Sequence, residues 1–71
     1  MDLKTRLTKI RNEFGITQKQ LADGIGLSVI AIQNYESGRR KPAFDVLISL
    51  ADFYNVSLDY LVGRSDIPER R

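Results

Sequence analysis

Between Thr17 and Gly38 the chain places two helix starts and two helix stops within 22 residues. Thr17-Gln18-Lys19-Gln20 has the S/T-x-x-Q spacing of a capping box, in which the Thr17 hydroxyl and the Gln20 carboxamide satisfy free backbone donors reciprocally. Gly26-Leu27 breaks the short helix that follows. Ser28 is a strong N-cap for another, which runs to about Ser37 and stops at Gly38. So short a link does not let the two helices lie antiparallel. A three- or four-residue turn containing glycine gives a steep crossing instead.

The same punctuation organises the rest of the chain. Leu3, Leu7, Ile10 and Phe14 step by four, three and four, an apolar stripe on one helix face, and Gly15 stops that helix. The second helix turns Leu21, Ala22 and Ile25 inward. After the basic loop Arg39-Arg40-Lys41-Pro42 a fourth helix carries Phe44, Leu47, Leu50, Ala51 and Tyr54. Asn55-Val56-Ser57 turns the chain, and Ser57 caps a short fifth helix ending at Leu61-Val62-Gly63. No stretch alternates with period two, so no strand is expected. The spacing predicts a compact all-α bundle of five helices over residues 1–63. Residues 64–71 form a polar tail, containing Pro68, that is expected to fray.

Val29-Ile30-Ala31-Ile32 raises a separate question, because four apolar residues in a row point all around a helix. At about 100° per residue, with Ile32 centred on the buried side, Tyr35, Glu36 and Ser28 fall within roughly 60° of it and Val29 at its margin. Ile30 and Asn34 lie nearly opposite, flanked by Gln33 and Ser37. Exposed isoleucines are common and need no function. Yet a face mixing a branched apolar group with two carboxamides, followed by Arg-Arg-Lys, matches a base-pair edge. Thymine offers a methyl, and adenine offers a donor and acceptor that Asn or Gln grips bidentately.

Composition narrows the alternatives. Seventy-one residues suffice for one core, and 42% hydrophobic with 28% charged residues is ordinary globular composition. Cysteine and histidine are both absent, which removes thiolate chemistry, the commonest general base and the commonest transition-metal ligand. No apolar run approaches the roughly 20 residues of a membrane span, and the N-terminus has no signal-like apolar region. The nine carboxylates form no recognisable catalytic pair or metal set, and no glycine-rich phosphate loop is present. The expectation is a cytoplasmic binding protein, not an enzyme, with no cofactor, metal or membrane partner. Net charge is only +2, but residues 1–41 hold eight basic and four acidic side chains, a net of +4, and residues 42–71 hold three and five, a net of −2. The first half is suited to an anion.

Gln18, Leu21, Ala22, Ile25, Gly26, Ile32 and Tyr35, continued by "YESGRRKP" and "NVSLDYLVG", resemble the helix-turn-helix pattern of the phage Cro/repressor-type family, also called the xenobiotic-response-element family. The likeness covers about residues 3–63. Physically, Ala22 lets the third helix approach closely, Gly26 permits a positive-φ turn, and Ile32 fills the angle between the helices. The resemblance implies a lambda-repressor-like five-helix domain whose third helix enters the major groove of double-stranded DNA while the second crosses the backbone. Carried over by position, Val29, Ile30, Gln33 and Asn34 read base edges, and Gln18, Ser28, Ser37, Arg39 and Lys41 contact phosphates. Arg40 either does the same or pairs with Glu36 one turn back. Arg11 and Glu36 resemble a buried ion pair tying the first helix to the third; the alternative is two solvated charges.

Three departures from the family pattern stand out. Val29-Ile30 is apolar where relatives are more often polar, which suggests a thymine-rich half-site or weaker specificity. Gly24 sits inside the second helix at a cost of roughly 1 kcal/mol relative to Ala. Ala43 stands where a Ser cap is expected, with only Asp45 to compensate. The resemblance further implies a transcriptional regulator, a repressor bound as a homodimer to a palindromic operator. Phe53, Tyr54, Leu58, Tyr60 and Val62 are more than one small core easily hides, which makes Leu58, Tyr60, Leu61 and Val62 the expected dimer contact; the alternative is that all of them are core. The alternative on the same fold is a protein-interaction module such as an antitoxin. The chain is either complete or the first part of a longer regulator.

Overall fold

The computed structural model describes residues 1–70, which form five helices: α1 (Leu3–Phe14), α2 (Gln18–Ile25), α3 (Val29–Ser37), α4 (Phe44–Tyr54) and α5 (Leu58–Leu61). No helix among the described residues is long and apolar enough to cross a membrane. Four helices start on a side-chain cap. Asp2, Thr17, Ser28 and Ser57 accept from the backbone N–H groups of Thr5, Gln20, Ala31 and Tyr60. The capping box is complete, since Gln20 Oε1 accepts from the Thr17 N–H at 2.8 Å. α4 starts at Ala43 with no side-chain cap, and Asp45 in its first turn offsets the bare helix dipole. Asp2 sits outside the apolar spacing of α1, and its carboxyl is held below the usual carboxylate range by the Thr5 hydrogen bonds.

Gly26 sets the turn. It holds a left-handed conformation, φ 74° and ψ 31°, while the next N–H, that of Leu27, donates to the Ala22 carbonyl at 2.9 Å. A side chain there would cost about 1 kcal/mol. α2 and α3 pack on each other, α3 also rests on α1, and α4 closes the core against α2 and α5. Leu7, Ile10, Leu21, Leu50 and Leu61 are buried around Ile32, which is 1% exposed and is the one residue of α3 that is fully buried. α3 therefore stands on one deep anchor with its opposite side free.

Three expectations change. Phe44 is not an inward residue of α4: it is 68% exposed, and Val46 and Leu47 are the residues of that first turn packed against the core. Phe14 completes its stripe only at the edge, half-exposed, with its ring edge-on to Tyr54 at a centroid distance of 4.8 Å. Gly24 is not simply a helix weakness. A Cβ there would stand 2.6 Å from Cε2 of Phe53, so its absence lets α4 lay that ring against α2. Tyr54, between Phe14 and Phe53, has a buried hydroxyl with no hydrogen-bond partner among the described residues. Burial first, then the nearby Glu36 charge, pushes its pKa up to about 12.

The tail also departs from expectation. Arg6 is 2% exposed, and a buried guanidinium needs acceptors. It donates to the carbonyls of Tyr60 at 2.7 Å and Ser65 at 3.2 Å and to Asp66 Oδ1 at 3.1 Å, and stacks 4.1 Å over the Tyr60 ring. The Ser57 N–H donates to the Pro68 carbonyl at 2.9 Å, and Arg70 reaches Asp52 at 2.7 Å. Residues 64–70 are thus bound back over α1, α5 and the end of α4 rather than frayed. Arg71 lies outside the described residues.

Candidate nucleic-acid interface

The outer side of α3 follows from the burial of Ile32. Ile30, on the opposite side, is 64% exposed, and Gln33 is exposed beside it. Asn34 is half-buried. Its backbone carbonyl accepts from Ser37 Oγ and from the Arg40 N–H, both at 3.2 Å. Among the described residues neither the Asn34 nor the Gln33 carboxamide is engaged in a hydrogen bond, so both are free to meet a ligand. Val29 is half-buried against the core, which leaves only part of it available.

One carboxylate fixes this helix to its neighbours. Glu36 Oε2 accepts from Arg11 Nε at 2.7 Å and Oε1 from the Arg11 NH2 group at 3.0 Å, while the Arg11 NH1 group donates to the Ile16 carbonyl at 2.9 Å. The Glu36 side chain is 7% exposed, so this is a buried pair and not two solvated charges, and Glu36 holds the guanidinium pKa above its ordinary value. Gln18 Nε2 joins it, donating to Glu36 Oε1 at 3.2 Å. The carboxylate on α3 therefore binds α1 and the first residue of α2 together. Nothing in the spacing announces the Gln18 bond. It occupies one amide hydrogen of Gln18 and leaves the other unengaged among the described residues.

The remaining expected phosphate contacts differ in readiness. Ser28 Oγ accepts from the Ala31 N–H, and its own proton remains free. Ser37 Oγ already donates to Asn34 and accepts from the Arg39 N–H at 3.4 Å. Arg39, Arg40 and Lys41 are exposed, and Arg40 does not pair with Glu36, which is engaged by Arg11 and Gln18.

Ion pairing sharpens the charge pattern. Arg6, Lys9, Arg11, Lys19 and Arg70 each pair with a carboxylate, and the Lys9–Glu13 bond raises the Lys9 pKa. Among the described residues Lys4, Arg39, Arg40, Lys41 and Arg64 pair with none, and three of these follow α3 directly in the loop to α4. Free positive charge thus collects at one end of the outward helix face.

The expected dimer contact needs one correction. Leu61 is fully buried in its own chain and cannot meet a partner: it points under α5 into the core. Leu58, Tyr60 and Val62 are half-exposed. Tyr60 is also engaged at home, its ring under Arg6 and its hydroxyl 3.5 Å from Lys9 Nζ.

A family model described as helix-turn-helix matches residues 7–61. Similar relatives include the HTH-type transcriptional regulator ImmR of Bacillus subtilis, 37% identical over 70 residues that make up 99% of this chain and 55% of that protein. The cryptic phage CTXphi transcriptional repressor RstR of Vibrio cholerae is 41% identical over 64 residues, 90% of this chain and 57% of that protein. The chain spans about half the length of the curated relatives it matches. Among solved structures, the P22 c2 repressor in complex with a synthetic operator superposes with a TM-score of 0.84 at 26% identity, covering 92% of this chain and 98% of that one. A transcriptional regulator from Listeria innocua gives 0.81 at 31% identity, covering 87% of this chain and 58% of its own.

Proposed function

The chain belongs to the helix-turn-helix family of the Cro/C1 type, and from that premise we propose that it binds double-stranded DNA sequence-specifically through α3, as a cytoplasmic transcriptional repressor. The observation that carries this reading is the outward face of α3. Ile30 and Gln33 are exposed there, the half-buried Asn34 beside them has an unengaged carboxamide among the described residues, and unpaired cations stand at the end of the helix. Ile30 meets a thymine methyl, Gln33 and Asn34 read base edges, and Val29 contributes its exposed part. Gln18, Ser28, Arg39 and Lys41 hold phosphates, fixing the register without reading sequence. Ser37 joins them only by giving up its bond to Asn34.

Residues 1–63 are the reading unit. Binding, not catalysis, is its activity, and the buried Arg11–Glu36–Gln18 cluster keeps α3 at a fixed angle to α1 and α2. One nine-residue helix spans few base pairs, so the chain acts as a two-fold homodimer on a palindromic operator, with Leu58, Tyr60 and Val62 at the subunit contact. The presence of a phage repressor and of the operator-bound P22 c2 repressor among the similar proteins supports this reading.

Selection of bound duplexes from random DNA, followed by a salt titration on the winner, tests it. The expected result is a symmetric pair of half-sites, with log affinity falling against log salt by about 0.9 per phosphate contacted. No enriched sequence, together with binding indifferent to salt, would refute it.

A further inference from the structure

Between the start of α1 and the loop after α3 lies a cleft of about 270 Å³, lined by Asp2, Lys4, Tyr35, Gly38, Arg40 and Lys41. Three of these side chains are cations, and among the described residues none of the three is in an ion pair. The single carboxylate in the cleft, Asp2, is turned to its own helix, where Oδ1 accepts from the Thr5 N–H at 3.0 Å. Lys4 comes from α1, outside the two helices that form the reading motif. Its stem crosses Gly38, the residue that ends α3. A Cβ on Gly38 would stand 2.9 Å from Lys4 Cδ and 3.7 Å from Nζ, so the lysine stem lies directly against the start of the loop.

We propose that this cleft binds a phosphodiester of the same duplex that α3 reads, and that Lys4 is a phosphate-contacting residue of the protein. The inference rests on the DNA-binding reading above and extends it to a third helix. α3 has nine residues, about 13 Å at 1.5 Å per residue, and the major groove is about 12 Å wide. A helix of that length lying in the groove has a phosphate rim near each end. Gln18 and Ser28 serve the rim at its start, and the Lys4–Arg40–Lys41 cleft serves the rim at its end. Contact there fixes register and adds affinity on every sequence alike.

The test compares the full chain with Lys4→Gln on the selected duplex and on copies carrying one uncharged methylphosphonate linkage at each backbone position. Gln keeps the stem over Gly38, and the melting temperature should not move. The expected result is a salt slope about 0.9 smaller for Lys4→Gln, so that the advantage of the wild type shrinks about threefold between 50 and 200 mM salt. Base preference should be unchanged, and one neutral linkage should weaken the wild type but not the variant. Arg40→Gln should respond at that same linkage. Equal slopes, or a variant as sensitive as the wild type at every linkage, overturn the inference while leaving the DNA-binding reading intact. A wild type with no salt-dependent duplex binding overturns both.

Discussion

Arg11 and Glu36 lie side by side through bonds of 2.7 and 3.0 Å, joining α1 to α3 with the carboxylate almost wholly buried. Removing only one partner strands the other charge away from water. Glu36→Ala should therefore cost about 3–5 kcal/mol and loosen α3 from α1 and α2 together. Replacing both residues with Met and Leu of similar volume should cost far less than Glu36→Ala alone. Urea unfolding of the three proteins at neutral pH gives both values.

Tyr54 carries a buried hydroxyl with no partner among the described residues, so Tyr54→Phe should be neutral or stabilising by about 1 kcal/mol. The same residue sets an alkaline limit. Its pKa is about 12 in the folded chain against an ordinary 10.0, so the folded state favours the protonated phenol. Stability from this source is complete below pH 10 and is lost as pH rises through 10 toward 12. Thermal melts across that window should fall less steeply for Tyr54→Phe than for the wild type.

Gly24→Ala ordinarily gains about 1 kcal/mol in a helix. Here the new methyl meets the Phe53 ring, so the single variant should show little or no gain. In a Phe53→Ala background the full gain should return. A double-mutant cycle by chemical denaturation measures the difference, and equal gains in both backgrounds would remove the packing explanation.

The proposed subunit contact on Leu58, Tyr60 and Val62 gives a concentration-dependent mass. Sedimentation equilibrium with operator DNA should give two chains per duplex, and Leu58→Glu should leave one chain bound at each half-site independently. A wild type that binds strictly one at a time, without cooperativity, would dismiss this face.

What was legible in the sequence is what local chemistry decides. The Thr17–Gln20 box, the Gly26 turn and the Ser28 and Ser57 caps each depend on residues within a few positions, and they form as spacing predicts. On α3, Ile32 lies inside and Ile30 outside because helical rotation alone separates them, whereas Asn34, placed outward by the same rotation, is half-buried where the loop after α3 folds back on its carbonyl. The inward place of Glu36 on α3 was legible from the same rotation, whereas its partner Arg11, 25 positions away, came from the family resemblance. The burial of Arg6 is half-legible: it lies three residues after Leu3 and four before Ile10, inside the apolar stripe of α1. Its acceptors, the carbonyls of Tyr60 and Ser65, come from the far end of the chain, and spacing carries no sign of them. Leu61 was misplaced because a helix of four residues is too short to show a stripe. Gly24 read as a defect because helix propensity is visible in sequence and the ring it accommodates is not.

The central claim is that the outward face of α3 reads base edges. It is tested most directly by measuring Gln33→Ala and Asn34→Ala against the wild type on a panel of duplexes, each with one base pair of the selected site changed. The expected result is a loss of about 1–3 kcal/mol of discrimination confined to one or two base pairs, while Arg39→Gln weakens every duplex equally. An Asn34→Ala and a Gln33→Ala that each lose the same affinity on every duplex would contradict it.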